Sequence, residues 1–305
     1  MKSLWRFSLV TAIVAYGAVM MGSWTRINGA GMTCPDWPLC NGQLIPSMAD
    51  GTVWEWTHRL LVFLISPLVV AVMIVAWRER GRATFVKPAL ALVGVVFAFQ
   101  VFLGAATVHL NNSPMSVVLH WGTAMAFIAT LTAMAILART AMNGETVAMP
   151  TQNAREVALS AILFGTTIVA FTTMCIGAYV SSSGAGLACI SIPGCAGNVV
   201  VYSPGQYVQM LHRFAAAASM LSAAAALAFS LGWRTTARVR VSTAVGVGLV
   251  FVQVLLGLMN VALRLPLDLR EAHAATAALV FLAFVVATVF AVLDAYREPA
   301  MARVR

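Results

Sequence analysis

Charge is what this 305-residue sequence has least of. Ten acidic and 19 basic residues make up 10% of the chain, against 61% hydrophobic residues. Soluble domains carry about a quarter charged residues, so one or two water-soluble domains of this length are excluded. The second half of the chain has a stretch, residues 181–206, with no charged residue at all. Met1–Ser23 begins like a secretory leader, with Lys2 and Arg6 ahead of an apolar run, but no small-x-small cleavage pattern precedes Trp24. It is expected to remain as the first helix.

What is abundant is apolar sequence in runs of about twenty residues, the length that crosses a bilayer as helix. Eight such runs are predicted: 8–25, 56–77, 86–108, 117–138, 156–180, 208–233, 242–263 and 272–293. The net charge of +9 follows their alternation. Lys2, Arg6, Arg78, Arg80, Arg82, Lys87, Arg139, Arg155, Arg234, Arg238, Arg240, Arg297, Arg303 and Arg305 all fall at the termini or in alternate loops. Basic residues beside spans stay cytoplasmic, so both termini are expected there, and no nucleic-acid partner is needed to explain the charge. Trp24, Trp37, Trp54, Trp56 and Trp121 map to the outer boundary, and Trp5, Trp77 and Trp233 to the inner one, as an interfacial aromatic belt.

The two halves repeat each other. Gly22 and Gly177, Gly29-Ala30-Gly31 and Gly184-Ala185-Gly186, Cys34 and Cys189, and Cys40 and Cys195 are all 155 residues apart. His58-Arg59 and His212-Arg213 are 154 apart, while Gln100, Gly104 and His120 precede Gln253, Gly257 and His273 by 153. Four crossings return a chain to its starting side, so the halves share one orientation. The expectation is an all-α integral membrane protein of eight transmembrane helices, built as two tandem four-helix bundles in parallel orientation. Residues 1–140 form the first unit, 141–155 a cytoplasmic linker and 156–305 the second.

Four of the five histidines, His58, His120, His212 and His273, fall near the outer ends of the even-numbered helices at repeat-equivalent places. Ionisable groups in spanning helices are costly and mark sites. Two histidines per half, on separate helices, suit the axial ligation of haem iron. Zinc fits less well, because no third or fourth ligand accompanies them. Glu55 stands three residues before His58, where the second half has Gln209. On a helix that spacing shares a face, and a carboxylate in only one half points to chemistry there and binding in the other. Its bland alternative is an acidic residue favoured at a helix N-terminus. Arg59 and Arg213 are candidates either for haem propionates or for snorkelling to the interface. His109 has Ala262 at its equivalent place and reads as an interfacial residue.

Of the five cysteines, Cys34–Cys40 and Cys189–Cys195 lie in the outer loops, where the compartment is oxidising. They are expected as disulfides, with a structural and a redox-active role both open. Cys175, inside the fifth run, reads as a small apolar residue.

This constellation resembles the heme A synthase family over nearly the whole chain. The resemblance rests on Glu55-x-x-His58-Arg59, His120, Gln209-x-x-His212-Arg213, His273, both cysteine pairs and the duplicated plan. It implies oxidation of a ring methyl of heme O to the formyl group of heme A, for terminal oxidases, with water and external electron acceptors. It further implies that His58 and His120 meet the iron of the substrate haem, with Glu55 catalytic. His212 and His273 would be axial ligands of a bound haem b. The bacterial inner membrane, with the haem sites toward its outer face, is the implied location. Heme O synthase, a quinone-class electron acceptor and a second copy of the chain are the other candidate partners. A bis-His di-haem b electron-transfer protein is the alternative, weakened because all four histidines lie at one side of the membrane. A membrane thiol oxidoreductase leaves the histidines unexplained, and a transporter would place its site near the midplane.

Overall fold

The computed structural model describes residues 1–145, 153–195, 197 and 200–296. Residues 146–152 of the 141–155 linker and the arginines at 297, 303 and 305 lie outside the described residues. The described chain is all-helical: α1 (Lys2–Ile27), α2 (Thr52–Glu79), α3 (Val86–His109), α4 (Pro114–Met142), α5 (Ala154–Ser182), α6 (Pro204–Gly232), α7 (Ala237–Ala262) and α8 (Leu267–Ala295). Every predicted apolar run is one of these helices, and all eight are long and apolar enough to cross a membrane. The helices mostly run a few residues beyond the apolar runs, because helical backbone satisfies itself wherever side chains turn polar.

Starts and turns follow local chemistry. Pro114 and Pro204 open α4 and α6, where the missing N–H is no loss. The side chain of Ser203 accepts from the Gln206 N–H. The α3–α4 and α7–α8 turns each use two successive left-handed residues, Asn111-Asn112 and Arg264-Leu265. These pairs are again 153 apart.

In the first half α1 packs against α2 and α4, and α3 against α4 and α2; in the second α5 packs against α6 and α8, and α7 against α8 and α6. The halves meet where α4 lies against α5 and α8, and α1 against α8. Half of the apolar stretch of α4 and of α8 is buried, against 11% for α3 and 17% for α6 and for α7. The helices carrying His120 and His273 are therefore the central ones. Close approach relies on small residues such as Ala12, Ala15 and Ala18 of α1 and Ala223 and Ala226 of α6. Outward-facing Phe63, Phe102, Leu221 and Phe251 are exposed, as lipid-facing side chains must be.

At the seam, Tyr16 of α1 donates to the Ala275 carbonyl of α8 at 3.2 Å, and within the second half Phe171 and Phe281 meet at a tilt, 5.3 Å between centroids. Arg26 donates to Ser181 Oγ at 3.0 Å, its own counterpart 155 residues on. Cys175 is unbonded and sits where a Cβ on Gly122 would meet its sulfur at 3.3 Å, a packing role at the seam.

Candidate functional site

The four histidines gather at one end of the helix assembly, the end that carries the two disulfide loops. Each lies in the second or third turn of an even-numbered helix, against the last turns of the helix before it. The mutual fit is tight. A Cβ on Gly22 would meet His58 Cε1 at 2.7 Å, and one on Gly177 would meet His212 Cε1 at 2.8 Å. Cβ atoms on Gly104 and Gly257 would meet Cε1 of His120 and His273 at 3.2 Å each. The repeated glycines are thus seats for the imidazole rings.

One turn before each glycine, at i−4 on the same face, sits the group beside a ring nitrogen. His58 Nδ1 is 2.9 Å from the Ala18 carbonyl. Gln100 Nε2 is 3.1 Å from His120 Nδ1, and Gln253 Nε2 is 3.2 Å from His273 Nε2. For His212 the corresponding group is the Thr173 carbonyl, although its Nδ1 makes no well-formed hydrogen bond. The rings of His212 and His273 face each other edge to face, 6.4 Å between centroids. His58 lies within electrostatic reach of His120.

Above the rings, each loop is tied down by the pair of residues flanking the histidine in sequence. Glu55, 5% exposed, accepts on one oxygen from Thr33 Oγ1 at 3.0 Å and the Cys34 N–H at 2.9 Å. Its other oxygen takes Arg59 Nη2 at 2.7 Å. Arg59 also donates to the carbonyls of Asp36, Leu39 and Cys34. In the second half Gln209 Oε1 accepts from the Cys189 N–H at 2.5 Å and its Nε2 donates to the Gly186 carbonyl at 2.8 Å. Arg213 donates to the carbonyls of Ser191, Pro193, Gly194 and Cys189. The guanidinium groups are therefore turned onto the loops. Sequence reasoning missed these loop contacts, because backbone carbonyls carry no signal in the side-chain sequence.

Both cysteine pairs are closed as disulfides, Cys34–Cys40 and Cys189–Cys195, and all four cysteines are buried. Each loop carries a cis peptide at an equivalent place, Trp37–Pro38 and Ile192–Pro193. Asp36 accepts from the N–H groups of Gly42 at 2.8 Å and Asn41 at 2.6 Å. These amides, Gly42 first, hold its carboxyl below the usual carboxylate range. Asn112 ties the first loop to the α3–α4 turn, donating to the Gly31 carbonyl at 2.7 Å. His109, the exposed last residue of α3, stands apart from the other four.

Two imidazoles per half, half-buried and mostly held through one nitrogen, suit an iron centre whose remaining ligands come from a macrocycle. The second half fits best. His212 and His273 face each other, and Nδ1 of each is buried without a partner. Among the described residues, no three His, Cys, Asp or Glu side chains cluster as ligands for a bare metal ion.

Comparison with known proteins agrees with this plan. The family model described as cytochrome oxidase assembly protein (COX15-CtaA) matches residues 5–285. The heme A synthase of Bacillus licheniformis is 30% identical over 282 residues, covering 90% of this chain and 91% of that protein. That of Geobacillus kaustophilus is 31% identical over 282 residues, covering 90% and 86%. That of Symbiobacterium thermophilum is 31% identical over 232 residues, covering 72% and 73%.

Proposed function

The chain belongs to the cytochrome oxidase assembly protein family, and from that premise we propose that it is a heme A synthase of the bacterial inner membrane, oxidising the ring methyl of heme O to a formyl group. The observation that carries this reading is the duplicated histidine pair with one acidic difference, Glu55 against Gln209. His58 and His120, in residues 1–140, receive the iron of the substrate haem. His212 and His273, in residues 156–305, hold a resident haem b. When bound, haem iron supplies the redox chemistry. Everything else falls to the chain: seating the rings on glycines, closing the loops over them, and presenting one carboxylate.

Glu55 is that carboxylate. It precedes His58 by three residues on one helix face and is proposed to take the proton lost as water is engaged or the methyl is deprotonated. Oxidation of a methyl to a formyl by water releases protons and electrons, the electrons passing to an external acceptor of the quinone class. A second reading, a di-haem b electron-transfer protein, is favoured by the two histidine pairs alone. It is disfavoured by their common end, since electrons cross a bilayer only between haems at opposite faces.

The deciding experiment is extraction and identification of the haem carried by the purified protein and by His58→Ala and His212→Ala. Haem b in the wild type, lost in His212→Ala, with heme O conversion abolished in His58→Ala, is expected. Two equivalents of haem b, with no heme O or A found under any condition, would establish the electron-transfer cytochrome instead.

A further inference from the structure

Gln100 and Gln253 are the repeat anchors that the proposed chemistry leaves unused. Each is polar and inside an apolar span, where an amide is retained only for a partner. Each lies four residues before a glycine that seats Cε1 of a histidine, and each bonds a nitrogen of that same ring. The arrangement recurs in both halves 153 residues apart. The amide meets Nδ1 of His120 in one half and Nε2 of His273 in the other, so what recurs is an amide paired with a ring nitrogen beside the glycine seat.

Both amides have Nε2 on the ring and leave Oε1 buried without a partner. Exchange of the two by a half-turn is invisible to shape. Chemistry decides between the orientations once a metal is present. A histidine that ligates through one nitrogen carries its proton on the other, and that N–H needs an acceptor. The amide must then present Oε1. In the second half the opposite nitrogen, His273 Nδ1, is the buried atom that has no partner.

We infer that Gln100 and Gln253 are positioning residues whose amide oxygens fix the tautomer of His120 and His273 and set how strongly each imidazole donates to iron. His58 has a backbone carbonyl in this role, that of Ala18, which no substitution can change. The glutamines are therefore the side-chain adjustment available at each site. This rests on the assignment of His212 and His273 to haem b and of His58 and His120 to heme O.

The test uses the purified, haem-loaded protein. Haem b content per chain and the midpoint potential of that haem are measured in wild type, Gln253→Leu, Gln253→Glu and His273→Ala. Loss of an outer-shell partner typically weakens metal binding about 10- to 100-fold. Gln253→Leu is expected to lose haem on dilution at least about 10-fold more readily and to raise the potential of what remains. Gln253→Glu, a stronger acceptor of the same size, should retain haem and lower the potential. Gln100→Leu should bind added heme O about 10-fold more weakly with haem b content unchanged. If Gln253→Leu and Gln253→Glu both keep full haem at the wild-type potential, the amide merely fills space and the inference is wrong. Where Gln253→Leu does not accumulate, an unshifted potential in Gln253→Glu overturns it equally. Full haem in His273→Ala would instead defeat the ligand assignment on which it stands.

Discussion

Substitution of Glu55 by Gln separates what this side chain does for the fold from what it does for the reaction. Glu55 accepts from Thr33, Cys34 N–H and Arg59. The other half shows how an amide fills the same place: Gln209 keeps the Cys189 N–H bond and Arg213 makes do with four carbonyls. Glu55→Gln should therefore rebuild the Cys34 bond and leave Arg59 its three carbonyls. What is lost is one charge-assisted bond, about 1.5–3 kcal/mol at most. Glu55→Ala leaves a buried N–H unsatisfied and removes the partner of a nearly buried ion pair, 15% and 6% exposed. Breaking such a pair costs about 3–5 kcal/mol. The assay has two readings, thermal stability of the haem-loaded protein and conversion of heme O to heme A. The expected result is a stable Glu55→Gln protein with haem b intact and conversion reduced at least about 100-fold, the scale of one general acid–base group. Wild-type conversion by Glu55→Gln would refute the carboxylate chemistry and leave Glu55 a loop tie only.

The glycine seats make a sharp contrast. Gly177→Ala places a Cβ 2.8 Å from His212 Cε1 and should strip haem b, whereas Gly17→Ala meets nothing within 4 Å and should be neutral or stabilising, by up to about 1 kcal/mol; haem content and melting temperature check both. Reduction of Cys34–Cys40, a ring closed over a separation of 6 residues, should destabilise the first loop by about 2 kcal/mol, read as faster proteolysis within residues 33–51. A loss of conversion without any such loosening would point to a redox role for the pair. The Asp36 carboxyl has a depressed pKa in the fold, so its contribution is present above the ordinary carboxylate pKa and is lost as pH falls through the lower folded value. Acid-induced opening of the first loop should therefore be blunted in Asp36→Asn, where that proton is never taken up; an unchanged acid profile by proteolysis would remove Asp36 from the account.

The sequence by itself determined the eight helices, because runs of about twenty apolar residues have one solution in a bilayer. It also determined the duplication, since repeat glycines, histidines and cysteines keep their spacing whatever surrounds them. Gly22, Gly104, Gly177 and Gly257 were visible as anchors, and so were Gln100 and Gln253. Their purpose was not, because a glycine that seats a ring and a glutamine that grips it belong to a different helix from the histidine they serve. The orientation of Arg59 and Arg213 was equally beyond reach: their partners are backbone carbonyls brought close by the folded loops, and backbone is the same in every sequence. Glu55 stands between the two cases. Its difference from Gln209 is legible residue by residue, but only packing revealed that both hold a loop to its helix, because that bond is made to an N–H 21 residues away in one half and 20 in the other.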